Sequence, residues 1–180
     1  MEGLEVKILI TGNMGYVGPS VVGWLRSTYP DFELIGLDLG FFAHCLTGAA
    51  TFPETQLDRQ IFTDVRTVTA ESIFEKIGEI YAVVHLAAIS NDPMGNAFEQ
   101  VTREINFQSS VQLAQISKEI GVKRFVFASS CSVYGLTQEG PRKEGHELNP
   151  LSVYARSKID AEKGLADLAD DSFVVTCLRF

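Results

Sequence analysis

Lys7-Ile-Leu-Ile-Thr-Gly-Asn-Met-Gly-Tyr-Val-Gly18 decides how the rest of the chain is read. Val6–Thr11 is an apolar run without polar alternation, the form of a strand buried on both faces, and such strands belong to parallel sheets. Behind it, Val17, Val21, Val22, Trp24 and Leu25 recur at mostly helical spacing, so a helix is expected over Gly15–Tyr29 until Pro30-Asp31 breaks it. Three glycines three apart, Gly12, Gly15 and Gly18, therefore fall between a strand and a helix. One permits the sharp turn, one lets backbone N–H groups approach a pyrophosphate, and one lets helix and strand pack closely. The loop Gly12, Asn13, Met14, Gly15, Tyr16, Val17 and Gly18 is the expected cradle for a dinucleotide.

The next strand, Phe32–Asp38, ends in a carboxylate about twenty residues after the last glycine, where it can accept hydrogen bonds from ribose hydroxyls. Asp38 would repel a 2′-phosphate, and no arginine follows in Leu39-Gly40-Phe41-Phe42, so NAD is favoured over NADP. Further strands are expected at Gln60–Thr63, Tyr81–Ala87, Lys123–Ala128 and Phe173–Phe180, with helices at Ser72–Ile77, Asn96–Ile120 and Leu151–Leu168. This alternation implies a doubly wound α/β fold, a Rossmann-like parallel sheet with helices on both faces. Asn149 and Pro150 read as N-cap and first residue of the last helix. Residues 1–180 make one domain, and Phe173–Phe180 stops without turn or polar tail, so the chain is expected to be truncated there.

Composition agrees with this class. With 46% hydrophobic residues and 21% charged, the 180-residue chain can build a core and is not disordered. A net charge of -8 repels nucleic acid and anionic membranes. Three cysteines, Cys45, Cys131 and Cys177, lack metal-ligand spacing and suit reduced thiols. No metal site is expected. Glu2 and Glu5 precede a short apolar run, unlike a signal peptide, and a soluble cytoplasmic protein is expected.

Tyr154 and Lys158 lie four apart on the last helix and leave it on one face. An ammonium can stabilise a phenolate there; lowering a phenol from its usual pKa of about 10 to near 7 needs about 4 kcal/mol. Such a tyrosinate could take a proton from a substrate alcohol as hydride leaves its carbon. Ser129 and Ser130 follow an apolar strand, and Ser130 could hydrogen-bond the substrate oxygen. Alone, Tyr-x-x-x-Lys more often describes a packed ring with a snorkelling lysine. Behind a dinucleotide loop, the catalytic reading is the stronger one.

Together these residues resemble the extended short-chain dehydrogenase/reductase family, the NAD-dependent epimerases and dehydratases of nucleotide sugars, with UDP-galactose epimerase as best-known member. The resemblance covers Lys7 to Phe180, about the N-terminal half of a typical extended member. It implies that Gly12, Gly15 and Gly18 hold the pyrophosphate, Asp38 the ribose, and Asp64 and Val65 the adenine. It further implies that Leu86, Ala87 and Ala88 wall the cofactor, that Asn106 fixes the active-site geometry, and that Ser130, Tyr154 and Lys158 are catalytic. A nucleotide-sugar substrate and a homodimer built from helix pairs are implied in the same way. The family's dehydratases carry Asp-Glu after the catalytic serine or threonine; here Cys131 and Ser132 stand there, which disfavours dehydration.

Two other functions fit the sequence: a noncatalytic NAD-binding or regulatory module, and a NADP-dependent carbonyl reductase, which Asp38 argues against. Other residues read more plainly. Cys131 is expected to be buried and inert, and His85 a hydrogen-bonded core or loop residue. His44 and His146 lack informative partners. Lys118, Lys123 and Arg124 are expected to form a solvated surface. Phe41 and Phe42 either border adenine or merely pack. Asn91-Asp92-Pro93 is expected to turn at the cleft mouth, and Phe98, Val101, Ile105, Leu113, Ile116 and Ile120 to suit the sheet or a dimer contact equally.

Overall fold

A computed structural model describes residues 6–43, 53–136 and 140–180; His44 and Cys45 lie outside them. Six strands form one parallel sheet: β1 Lys7–Thr11, β2 Glu33–Asp38, β3 Arg59–Phe62, β4 Ala82–His85, β5 Arg124–Ser129 and β6 Val174–Arg179. Their order is β3-β2-β1-β4-β5-β6, the Rossmann arrangement. The chain winds outward from β1 through β2 to β3, then crosses back to β4 on the other side. At that reversal β1 runs beside β4 with Leu9 opposite Val83 and Thr11 opposite His85. The crevice beyond these two carboxyl ends is where such sheets bind ligands.

Helices cover both faces because alternate strand residues point to opposite sides. Ile8, Ile10 and Leu34 pack with Val22 and Leu25 of α1 (Gly18–Thr28). Leu9, Ile35, Val83, Phe125 and Phe127 face α2 (Ala70–Ile77), α5 (Ser109–Glu119) and α6 (Val153–Leu168), from which Ile73, Leu113, Ala161 and Leu165 enter the core. Each large side chain buried there contributes about 1.5–3 kcal/mol.

Several expectations need correction. Helix α1 begins at Gly18, not Gly15, and Trp24 stands exposed while Val22 and Leu25 make the inner stripe. The single helix expected over Asn96–Ile120 is four pieces: α3 Asp92–Ala97, α4 Glu99–Arg103, a π-turn Glu104–Gln108, and α5. Phe98, at φ -132 and ψ 55, separates α3 from α4 and is exposed. Asn91-Asp92-Pro93 is no free turn; Asn91 caps α3 by accepting a hydrogen bond from Met94 N at 3.0 Å. Helix α6 is capped by Ser152, whose side chain accepts from Ala155 N at 3.1 Å, not by Asn149. Strand β6 lies at the sheet edge, where Val174 and Leu178 are exposed although the sequence reads as a buried run. Lys118 is not simply solvated: it pairs with Asp170 at 2.6 Å and donates to Leu168 O at 2.8 Å. Among the described residues no helix is long and apolar enough to cross a membrane.

Candidate active site

The glycine loop leaves β1 and enters α1 at the crevice. Gly12 has φ +70, and a Cβ on it would stand 2.5 Å from Ala87 N, so the loop can lie against the segment after β4 only without a side chain. A Cβ on Gly18 would fall 2.2 Å from Asn13 O. Gly15 differs, because its Cβ would meet only Gly12 O at 3.2 Å. Protein packing explains two of the glycines, while the third opens outward. Val17 caps α1 and offers no side-chain acceptor, so the positive end of the helix receives no oxygen from its own cap residue. A diphosphate fits this cradle. Asn13 is fully buried and donates to Gln60 Oε1 at 2.6 Å, whereas Tyr16 is exposed and Met14 buried.

Asp38, at the end of β2, ties the loop down: Oδ2 accepts from Met14 N at 3.1 Å and Oδ1 from Gly40 N at 2.7 Å. Each carboxylate oxygen keeps lone pairs that could meet ribose hydroxyls. Phe41 and Phe42 follow it, both exposed. Asp64 is committed otherwise, capping the 3₁₀ turn Val65–Thr67 through Arg66 N at 2.9 Å and pairing with the Arg66 guanidinium at 2.7 Å. The arginine holds its carboxyl below the usual range, while Arg66 also reaches Glu104 at 3.0 Å. The Val65 side chain is buried in the core. Leu86 and Ala87 lie against Gly12, with Leu86 N donating to Thr11 O at 3.0 Å, and Ala88 follows them in the segment after β4.

Ser130, Tyr154 and Lys158 are brought together where β5 ends. Ser130 stands in extended conformation at the head of the 3₁₀ turn Cys131–Tyr134, where its Oγ accepts from Ser132 N at 3.2 Å and from Ser132 Oγ at 3.0 Å, and its hydroxyl is near enough to the Tyr154 phenol to lower its pKa. Lys158, only 2% exposed, donates from Nζ to Ala128 O at 2.7 Å and lies 4.6 Å from the Phe127 ring centroid and 5.7 Å from that of Tyr154. Burial lowers its pKa to about 7, opposed by the charge of Glu162. The phenol departs from expectation. Burial pushes the Tyr154 pKa up, the Ser130 hydrogen bond pulls the other way, and Asp92 adds to the rise. Desolvation outweighs any acidification by the lysine, whose ammonium is turned to a backbone carbonyl.

Asn106 is buried inside the π-turn, a shift of helical phase found often at functional sites. It clamps the segment after β4, accepting from Ile89 N at 2.8 Å and donating to Ile89 O at 2.9 Å and Ser157 Oγ at 3.2 Å. His85 is the hydrogen-bonded core residue expected, 2.6 Å from Thr11 Oγ1 and 2.8 Å from Ser110 Oγ. Because Ser110 donates to Asn106 O, His85 must donate to it from Nε2 and accept from Thr11 at Nδ1. Burial, then the nearby Lys158, lowers its pKa to about 3, so the ring is neutral.

Cys131 is exposed rather than buried, because β5 has ended and the turn directs Val133 and Tyr134 inward. It lines a cavity of about 860 Å³ with Tyr134, Glu162, Cys177 and Arg179. Glu162 and Arg179 escaped notice in the sequence. Only the four-residue step from Lys158 to Glu162 could have pointed to the first, and nothing local to the second.

Against known proteins, the chain matches the model of the NAD dependent epimerase/dehydratase family over residues 8–180. It is similar to the UDP-glucose 4-epimerases of Bacillus subtilis, 30% identical, and of Homo sapiens, 27% identical, each alignment covering 97% of this chain and 52% of the relative. The chain thus spans about half the length of these relatives. The solved UDP-glucuronic acid 4-epimerase from Bacillus cereus, in complex with UDP-glucuronic acid and NAD, superposes at TM-score 0.82 and 25% identity over 97% of this chain and 56% of that one. MoeE5, solved in complex with UDP-glucose and NAD, superposes at TM-score 0.78 and 28% identity over 97% of this chain and 54% of its own. Sheet order, glycine loop and the match along nearly the whole chain agree: the chain belongs to the NAD dependent epimerase/dehydratase family.

Proposed function

We propose that this chain is the NAD-binding portion of a cytoplasmic nucleotide-sugar epimerase or dehydrogenase that works at a sugar hydroxyl carbon with Tyr154 as proton carrier. One observation carries the reading: Ser130, Tyr154 and a buried Lys158 converge at the end of β5, beside the crevice that the glycine loop borders. The outward-facing Gly15, the α1 N-terminus without a side-chain cap and the Asp38 carboxylate support a diphosphate and ribose there. The family resemblance and the NAD complexes of similar proteins support the choice of cofactor.

Bound NAD supplies a hydride acceptor and later a hydride donor. The chain's residues handle the proton. Ser130 orients the sugar oxygen through its hydroxyl, and Tyr154 Oη takes the hydroxyl proton as that carbon becomes a ketone. The same atom returns the proton when the ketone is reduced, because a base in one direction is the acid in the other. Burial holds the phenol protonated at rest, which suits the returning step; the outward step needs phenolate, favoured when positive charge lies near. Lys158 provides such a charge close to the ring. Cys131 and Ser132 leave no carboxylate acid directly after Ser130, so dehydration is not proposed.

Calorimetric titration with NAD tests binding, and conversion of a panel of nucleotide sugars by the full natural protein tests the reaction. Tyr154→Phe is expected to lower turnover by about 10² to 10⁴-fold and leave NAD affinity nearly unchanged. Unchanged turnover removes Tyr154 as proton carrier. NAD binding with no sugar converted overturns the enzymatic reading and leaves a binding module.

A further inference from the structure

Helix α6 carries Tyr154, Lys158 and Glu162 at successive four-residue steps, one above another on the face turned to β5. The proposed reaction uses the first two and leaves Glu162 unexplained. Its side chain is 12% exposed, uncommon for a carboxylate, and its partners account for that. Oε1 accepts from the Ser129 hydroxyl and, at 2.9 Å, from Arg179 Nε. Oε2 accepts from Arg179 Nη2 at 2.5 Å, a bidentate clasp. Arg179 Nη1 continues to Tyr134 Oη at 2.7 Å and to Glu144 O at 3.1 Å.

The end of β5 is where this face of α6 is tied down: Lys158 donates to Ala128 O and Glu162 accepts from Ser129 Oγ, so two successive turns of the helix meet two adjacent residues of β5. Four groups face or neighbour Lys158 besides the Phe127 ring: neutral His85 from β4, Tyr154 and Glu162 on α6, and Arg179 of β6 behind Glu162. Of these, Glu162 brings negative charge, and Arg179 keeps it ionised.

We infer that Glu162 is a positioning residue for the Tyr154–Lys158 pair: it fixes α6 against Ser129 and Arg179 and sets a carboxylate one helical turn from Lys158, where it favours the charged form of that amine. The inference rests on the proposed use of that pair, and its test needs neither cofactor nor turnover. A merely structural Glu162 would hold the helix without affecting the lysine proton.

The test is a pH titration, followed by NMR, of the protein with ¹³C at lysine Cε, in the wild type, Glu162→Gln and Arg179→Gln. The Lys158 resonance is the one missing from Lys158→Met. Its wild-type midpoint is expected at about 7. Glu162→Gln should lower that midpoint by about half a unit or more, a threefold change in proton affinity, and Arg179→Gln should raise it by leaving the carboxylate uncompensated. An unmoved midpoint in folded Glu162→Gln overturns the inference. If that variant does not fold, the direction in Arg179→Gln decides, and failure of both to fold assigns the cluster to folding alone. Wild-type calorimetry with NAD stands apart: no binding there defeats the proposed function and leaves the titration to decide Glu162.

Discussion

Lys158 is the residue at which burial and charge conflict. A buried ammonium with one backbone acceptor is less well served than in water, so its pKa falls from 10.5 to about 7. Between those values the unfolded chain carries a proton that the folded chain has released. Stability therefore rises with pH across the window, by at most about 1.4 kcal/mol per unit, and the lysine's full penalty is present below about 7. Denaturant unfolding of wild type and Lys158→Met at several pH values should give a stability difference that slopes over this range and flattens beyond it; parallel curves would show that Lys158 does not titrate there. The sequence disclosed that Tyr154 and Lys158 share a face, because helical spacing is local. It did not disclose that burial raises the phenol pKa in the chain alone, because desolvation depends on what packs around Tyr154, including α3, whose Asp92 adds to the rise and whose Gly95 lies against the Tyr154 backbone and Cβ.

The glycine loop shows how one motif divides its duties. Gly12 and Gly18 are held by protein backbone, whereas Gly15 meets only one carbonyl oxygen. Gly12→Ala must place its Cβ against Ala87 at positive φ and should destabilise the fold by about 2 kcal/mol or more. Gly15→Ala should cost less than about 1 kcal/mol of stability while weakening NAD binding at least about tenfold. Paired unfolding and calorimetry measure both, and equal losses of stability would remove the distinction. The α3-to-α5 region was the element least legible in sequence. Its apolar residues keep a helical rhythm through the break at Phe98, and the π-turn at Glu104–Gln108 holds Asn106 where it meets Ile89 and Ser157, partners 17 and 51 residues away. Likewise Ser152 displaced Asn149 as the α6 cap, because Asn149 lies three residues before it and its backbone N is bound to Val133 O at 3.0 Å.

Ligand binding should register in the stability of the whole molecule, since the crevice joins both halves of the sheet. NAD at about a hundred times its dissociation constant should stabilise the folded chain by about 2.7 kcal/mol, raising Tm by about 5 to 11 °C for a domain of this size. NADP should raise it less, through repulsion by Asp38; an equal shift would contradict the assignment of that carboxylate. The sequence alone determined the doubly wound parallel sheet, the glycine loop between its first strand and helix, and the shared helix face of Tyr154 and Lys158. Unbroken apolar strands, glycine spacing and a four-residue helical step act between near neighbours in the chain, so they are written in the chain. The tertiary structure decided which glycine stays open, the protonation of Tyr154 and His85, the exposure of Cys131, and the clasp of Glu162 by Ser129 and Arg179. Those properties depend on which groups exclude water and which charges meet across the fold, and residues far apart in sequence settle both.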